Sequence, residues 1–354
     1  MDNRTYLPPP GADSGFSPDK ERVRGAVRVF SHCFLFAAIY LIIANALMYA
    51  VSIGFLLFFG PERGSQIISS LAYTWIMQVV SMYGVAFPLS YLIVRKLPKA
   101  RAKKSRLSLE EFVVLFFISQ GVMVFGAVIS NLFTEIISYI LGYTVKNATS
   151  DLIMETPVWV VIAVAVILGP IFEELIFRKI FIDRMSVYGD RLAIVASSVA
   201  FGLFHGNFSQ AIYATALGLI LGYAYTKTRN VIYTSLLHMI LNFFGTVPTL
   251  LIMDSIERLG VFDTSSELTA EMLYTYSLDS LWVLGVTITE YLLAFIGIAL
   301  LIYLLVKKKI TSPRHCEVAL PKYAYKRVLL INTGAIILLG MIVIEFVISL
   351  LPPL

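Results

Sequence analysis

The chain has 354 residues, of which 58% are hydrophobic and only 14% charged, and its net charge is +5. A soluble globular domain carries roughly 25% charged residues, so a soluble fold of this size is excluded for want of polar cover. The basic excess sits between apolar runs, where it sets membrane topology and gives no reason to expect nucleic acid as a partner.

In chain order, residues 1–30 are polar and include Pro8, Pro9, Pro10 and Gly11, so a disordered cytoplasmic tail without a cleavable signal peptide is expected. Residues 31–354 are expected to form one polytopic membrane domain. Apolar stretches lie near 31–59, 67–94, 112–141, 158–183, 192–207, 210–226, 231–252, 282–306 and 328–351. With ~20 residues needed per span, they predict an all-α bundle of eight to nine transmembrane helices, the short middle stretches being the marginal ones.

Orientation follows from the basic residues. They precede the first stretch (Lys20 to Arg28) and follow the second (Arg95 to Arg106), the fourth (Arg184, Arg191), the sixth (Lys227, Arg229) and the eighth (Lys307 to Lys309). Alternate loops are short or acidic, the longest holding Asp254, Glu257, Asp263, Glu267, Glu271 and Asp279 against Arg258. Nine crossings with the N-terminus cytoplasmic fit this alternation. No internal repeat of the transporter kind is visible, and Cys33 and Cys316 imply no disulfide framework.

Three polar patterns interrupt the apolar middle: Glu173-Glu174-x-x-x-Arg178, Phe201-x-x-x-His205 and His238-x-x-x-Asn242. Ionisable groups are costly in hydrocarbon and persist where they face each other, a cavity or a substrate. At a rise of 1.5 Å per residue from the flanking loops, Glu173 lies at a depth of ~15 Å, His205 at ~21 Å, His238 at ~12 Å and Asn242 at ~18 Å. Four polar groups on three helices thus converge on one layer.

Spacing adds direction. Glu174 and Arg178 stand at i,i+4 and can neutralise one another, whereas Glu173 is rotated about 100° away and points elsewhere. His238 and Asn242 share a face, and Phe201 packs beneath His205. Peptide hydrolysis needs a base to activate water and donors to hold the oxyanion. Glu173 with His205 suits the first task and His238 with Asn242 the second. The bland reading of each residue alone is a packed histidine, a helix-bridging amide or a structural carboxylate, as for Glu135, Glu290 and Glu345. Tyr213 and Tyr223 read as packing.

The combination resembles the CPBP family of intramembrane endopeptidases, the CAAX-protease and bacteriocin-processing (Abi) group, over about residues 155–250. The resemblance implies Glu173 as catalytic base, His205 as its water-activating partner, His238 and Asn242 as the oxyanion site, and Glu174 and Arg178 as support. It also implies a peptide or membrane-anchored protein substrate cut near its terminus, and a bacterial cytoplasmic membrane as the location.

Alternatives stay open at this point. No His-Glu-x-x-His pattern exists, but Glu173, His205 and His238 could hold zinc with an open position. A metal-free centre is favoured because Asn242 is a good oxyanion donor and a poor zinc ligand. Ser235 beside His238 lacks an acid in sequence to orient the imidazole. A non-catalytic immunity or peptide-binding protein, or a transporter, would use the same charged layer as a binding site.

Overall fold

The computed structural model describes residues 18–145, 147–260, 270–309 and 315–351, and every regular element among them is helical. Helix α1 (Pro18–Phe59) leads through the short α2 (Pro61–Ile68) into α3 (Leu71–Val94). Then follow α4 (Leu109–Leu141), the short α5 (Ala148–Met154), α6 (Val158–Tyr188), α7 (Asp190–Leu203) and α8 (Phe208–Thr228). Helices α9 (Val231–Gly260), α10 (Ala270–Val306), the short α11 (Tyr325–Leu329) and α12 (Thr333–Leu350) complete the order.

Local chemistry sets the ends. Helix α1 opens on Pro18 with Asp19 and Glu21 in its first turn, a residue order that suits the free N–H groups there. Residues 18–30, expected as tail, are therefore helical; residues 1–17 of that expectation lie outside the described residues. Helix α4 starts on a capping box between Ser108 and Glu111 and stops at Gly142, whose φ of 78° is left-handed. Asp263 and Glu267 of the expected acidic loop also lie outside the described residues.

Seven of the described helices, α1, α3, α4, α6, α9, α10 and α12, are long and apolar enough to cross a membrane. The count differs from the expected eight to nine at α7 and α8. Helix α7 has 14 residues and rises only ~21 Å against a hydrocarbon core of about 30 Å. Helix α8 carries Ser209, Gln210 and Thr215, and it is flanked by α4, α7 and α9, so its surface need not be lipid-like. The two form a tight hairpin, in which a Cβ on Gly202 would collide with the Thr215 side chain; small residues allow this approach between membrane helices. A hairpin adds two crossings or none, so the side on which the chain ends is the same either way.

The packed centre joins α1, α3, α6, α7 and α12 through buried aromatics such as Phe30, Phe36, Phe177, Phe181 and Phe201. One end of the bundle is tied by charge. Asp183, at the end of α6, accepts hydrogen bonds from Lys179 Nζ (2.8 Å) and Tyr225 Oη (2.7 Å). Arg229 bonds Ser186 Oγ at 3.2 Å and pairs with Asp190, the first residue of α7. Arg184 is 1% exposed and donates to the carbonyls of Val94 (2.9 Å) and Ile180 (3.1 Å), closing helix ends instead of standing in a loop.

Helices α3 and α6 are continuous yet mixed. Wider π-helical turns occupy Val79–Ala86, Ile162–Leu168 and Leu175–Ile182. Such turns are rare and concentrate at functional sites; two of the three flank Glu173 and Glu174.

Candidate active site

Helix α6 presents two adjacent carboxylates to different surroundings. The Glu174 side chain is fully buried, while that of Glu173 is 28% exposed. Glu174 Oε2 lies 3.1 Å from Arg178 Nε, the i,i+4 pair expected from spacing, and the Arg178 side chain is fully buried with it. Glu174 Oε1 lies 3.2 Å from His238 Nδ1 on α9. The other nitrogen of that ring, Nε2, lies 3.6 Å from Glu173 Oε2. Arg178, Glu174, His238 and Glu173 therefore form one series across two helices, with a protonatable or cationic group alternating with a carboxylate.

Phe201 sits at the centre of this series. Its ring meets those of His205 (centroids 5.1 Å apart) and His238 (5.7 Å) edge to face, and the Arg178 guanidinium lies 4.8 Å from its centroid. Spacing predicts its contact with His205; the contacts with His238 and Arg178 depend on how α6 and α9 are rotated, which spacing does not give.

His205 follows the last turn of α7. Its Nδ1 is 2.9 Å from the Phe201 carbonyl oxygen, which can only accept, so Nδ1 carries the hydrogen and Nε2 of the neutral ring is left as an acceptor. Gly206, at φ 68°, then turns the chain, and Asn207 caps α8 by accepting from Gln210 N at 2.9 Å. Glu173 also lies beside the imidazole of His238, the residue that the sequence assigned to the oxyanion site.

Asn242 lies one turn beyond His238 and also reaches α6. Its Nδ2 donates to the carbonyl of Ala165 at 3.0 Å, inside the π-helical turn. That bond uses one of two amide hydrogens and fixes where the second points. The residues expected from sequence thus fall into two sets. Glu173, His205 and Asn242 are partly accessible, and His238, Glu174 and Arg178 are buried behind them.

Among the described residues, no group of three or more His, Cys, Asp or Glu side chains is arranged to hold a metal ion. Both nitrogens of His238 already face carboxylates, and Nδ1 of His205 faces a carbonyl.

Residues 155–244 match the model of the Rce1-like family, described as type II CAAX prenyl endopeptidase Rce1-like. This stretch is an Rce1-like domain. All seven named residues of the three polar patterns fall inside it. The chain is also similar to bacterial membrane proteins. The chain is 29% identical over 170 residues to the candidate membrane peptidase YdiL of Bacillus subtilis, covering 45% of this chain and 66% of YdiL. It is 28% identical over 147 residues to the membrane-embedded CAAX protease MroQ of Staphylococcus aureus, covering 39% and 58% of the two chains. It is 31% identical over 113 residues to YxdF of Lactococcus lactis, covering 32% and 61%. The chain thus spans less than two thirds of each of these relatives. No solved structure shows a significant match.

Two side chains outside the Rce1-like domain also stand at the site and were not singled out by motif. Tyr40 of α1 and Tyr83 of α3 are electrostatic neighbours of Glu173 and of each other. A sequence signal existed for both. Each lies 12 residues from a flanking arginine, Arg28 and Arg95, which is ~18 Å of helix and the same layer as the polar patterns.

Proposed function

We propose that this protein is an intramembrane endopeptidase that hydrolyses a peptide bond near the terminus of a membrane-associated protein or peptide. The observation that carries the reading is the pairing of an accessible carboxylate, Glu173, with a buried Arg178–Glu174–His238 series directly behind it. The series has a catalytic rationale. Arg178 neutralises Glu174, and Glu174 orients His238 through Nδ1, so that Nε2 is aimed beside Glu173.

In this reading Glu173 takes a proton from water as the oxygen attacks the scissile carbonyl carbon, and the unprotonated Nε2 of His205 accepts the water's second hydrogen bond. His238, doubly protonated between Glu174 at Nδ1 and Glu173 at Nε2, donates its Nε2–H, and Asn242 its free amide hydrogen, to the oxyanion that forms. Collapse of the tetrahedral species breaks the C–N bond, and the proton held on Glu173 passes to the departing amine. No metal is needed for these steps. The bacterial relatives and the alternating basic loops support a bacterial cytoplasmic membrane with the N-terminus inside.

The test starts from Glu173→Gln, which keeps shape and removes the base. Terminal proteomics of membranes from cells bearing either form should reveal a cut that disappears in the variant. Turnover of that cut by purified protein should fall at least ~100-fold, with the thermal unfolding midpoint unchanged, and strong chelators should leave wild-type turnover intact. Wild-type turnover by well-folded Glu173→Gln would overturn the reading. Loss on chelation with recovery on zinc would replace it by a metal site on Glu173, His205 and His238.

A further inference from the structure

Glu173 has neighbours that the hydrolytic steps above do not use. The Tyr83 ring stacks on that of Phe172, the residue before Glu173, with centroids 4.3 Å apart and planes at 21°. The Tyr40 ring packs on that of Phe204, the residue before His205, at 5.5 Å. The two tyrosines thus mirror each other: each is seated on the aromatic residue next to one member of the proposed water-activating pair.

Gly169, one turn before Glu173, keeps the space between phenol and carboxylate open. A Cβ at that position would lie 3.7 Å from Tyr83 Oη, 4.0 Å from Glu173 Oε1 and 3.3 Å from the Val164 carbonyl. Tyr40 is 1% exposed, and neither hydroxyl has a hydrogen-bond partner among the described residues. Neither hydroxyl oxygen is among the buried polar atoms left without a partner, so both keep some open space beside them. Tyr83 Oη and Glu173 Oε1 border the same small space at Gly169, so that carboxylate, or water beside it, is the acceptor at hand for an unpartnered donor.

We propose that Tyr40 and Tyr83 are positioning residues of the hydrolytic centre, whose phenol hydrogens are donated to Glu173 and its water and hold that carboxylate in the orientation from which it attacks. The phenols keep their protons throughout; the proton from water still goes to Glu173 and then to the leaving amine. The site is therefore built from α1 and α3 as well as from the Rce1-like domain. The inference rests on Glu173 being the base.

The test uses the full chain in lipid nanodiscs with Tyr40→Phe, Tyr83→Phe and the double variant, which keep both stacked rings and remove only the hydroxyls. The first readout needs no substrate: the infrared carboxylate band that disappears in Glu173→Gln should shift in each Tyr→Phe variant. The second readout uses internally quenched fluorogenic peptides with apolar C-termini. Each single variant should lose ~10-fold in kcat, the worth of a hydrogen bond to a charged group, with KM and unfolding midpoint unchanged. The double variant should lose less than the product of the two, because both act on one carboxylate. A folded double variant with an unmoved Glu173 band overturns the proposal, as does one that cleaves at the wild-type rate. If wild type and Glu173→Gln are equally inactive, the peptidase reading fails instead, and the band alone decides whether the phenols hold Glu173.

Discussion

Two buried charge clusters lie along α6, about two to three turns apart, and they differ in completeness. At the helix end, Asp183 receives Lys179 and Tyr225, and Arg229 bonds Ser186 and Asp190, leaving its Nε over. In the middle, all three guanidinium nitrogens of Arg178 and Glu174 Oε2 lack a well-directed hydrogen-bond partner, although the two residues form a close ion pair. Buried polar groups are satisfied in the great majority of cases, so burial of charge by itself does not mark a site. The end cluster spends its charges on joining loops to helices. The central one leaves accessible carboxylate, imidazole and amide groups in front of a buried charge series.

That difference can be broken from either side. A large effect on stability is expected at the end cluster. Asp190→Asn removes one partner of a buried pair with Arg229, which costs about 3–5 kcal/mol and should lower the unfolding midpoint and the yield sharply. Turnover per folded molecule should stay at the wild-type level; a folded Asp190→Asn protein with lost turnover would merge the two clusters into one functional unit.

A comparable loss of stability is expected at the centre. Glu174→Gln leaves Arg178 buried without its counter-charge and should reduce the yield of folded protein, and adding Arg178→Gln should restore part of it. Turnover of the folded Glu174→Gln protein should fall less than that of Glu173→Gln, because Glu174 acts through His238. If Glu174→Gln abolishes turnover in well-folded protein while Glu173→Gln does not, the base is the other carboxylate.

Much of this contrast was legible in the residues. The Glu174–Arg178 pair follows from i,i+4 spacing alone, and the placement of the helices follows from apolar runs. What spacing cannot supply is the rotation of one helix against another. Hence spacing did not reveal that the His238 imidazole stands beside Glu173. The π-helical turns of α3 and α6 were equally hidden, since they shift register without leaving a compositional mark. Tyr40 and Tyr83 escaped notice because a tyrosine in a membrane helix reads as packing until its hydroxyl is seen to lack a partner. Helix α8 was counted among the marginal spans because its apolar stretch is short; its polar residues become intelligible only once α4, α7 and α9 are seen around it.

The shortness of α7 bears on the lipid. A helix that starts near one interface at Asp190 and turns back after 14 residues leaves the Gly206 bend where undeformed hydrocarbon would otherwise be. A bilayer meeting such a hairpin relieves the mismatch by thinning locally, at a cost that grows with the acyl chains it must compress. The same thinning would bring headgroup water within reach of His205, so hydration of the site and the bilayer's elastic energy become one variable. Turnover in nanodiscs should accordingly fall as acyl chains lengthen, while detergent-measured turnover stays fixed. Equal turnover across chain lengths would mean that water arrives from the protein interior and owes nothing to the membrane's shape.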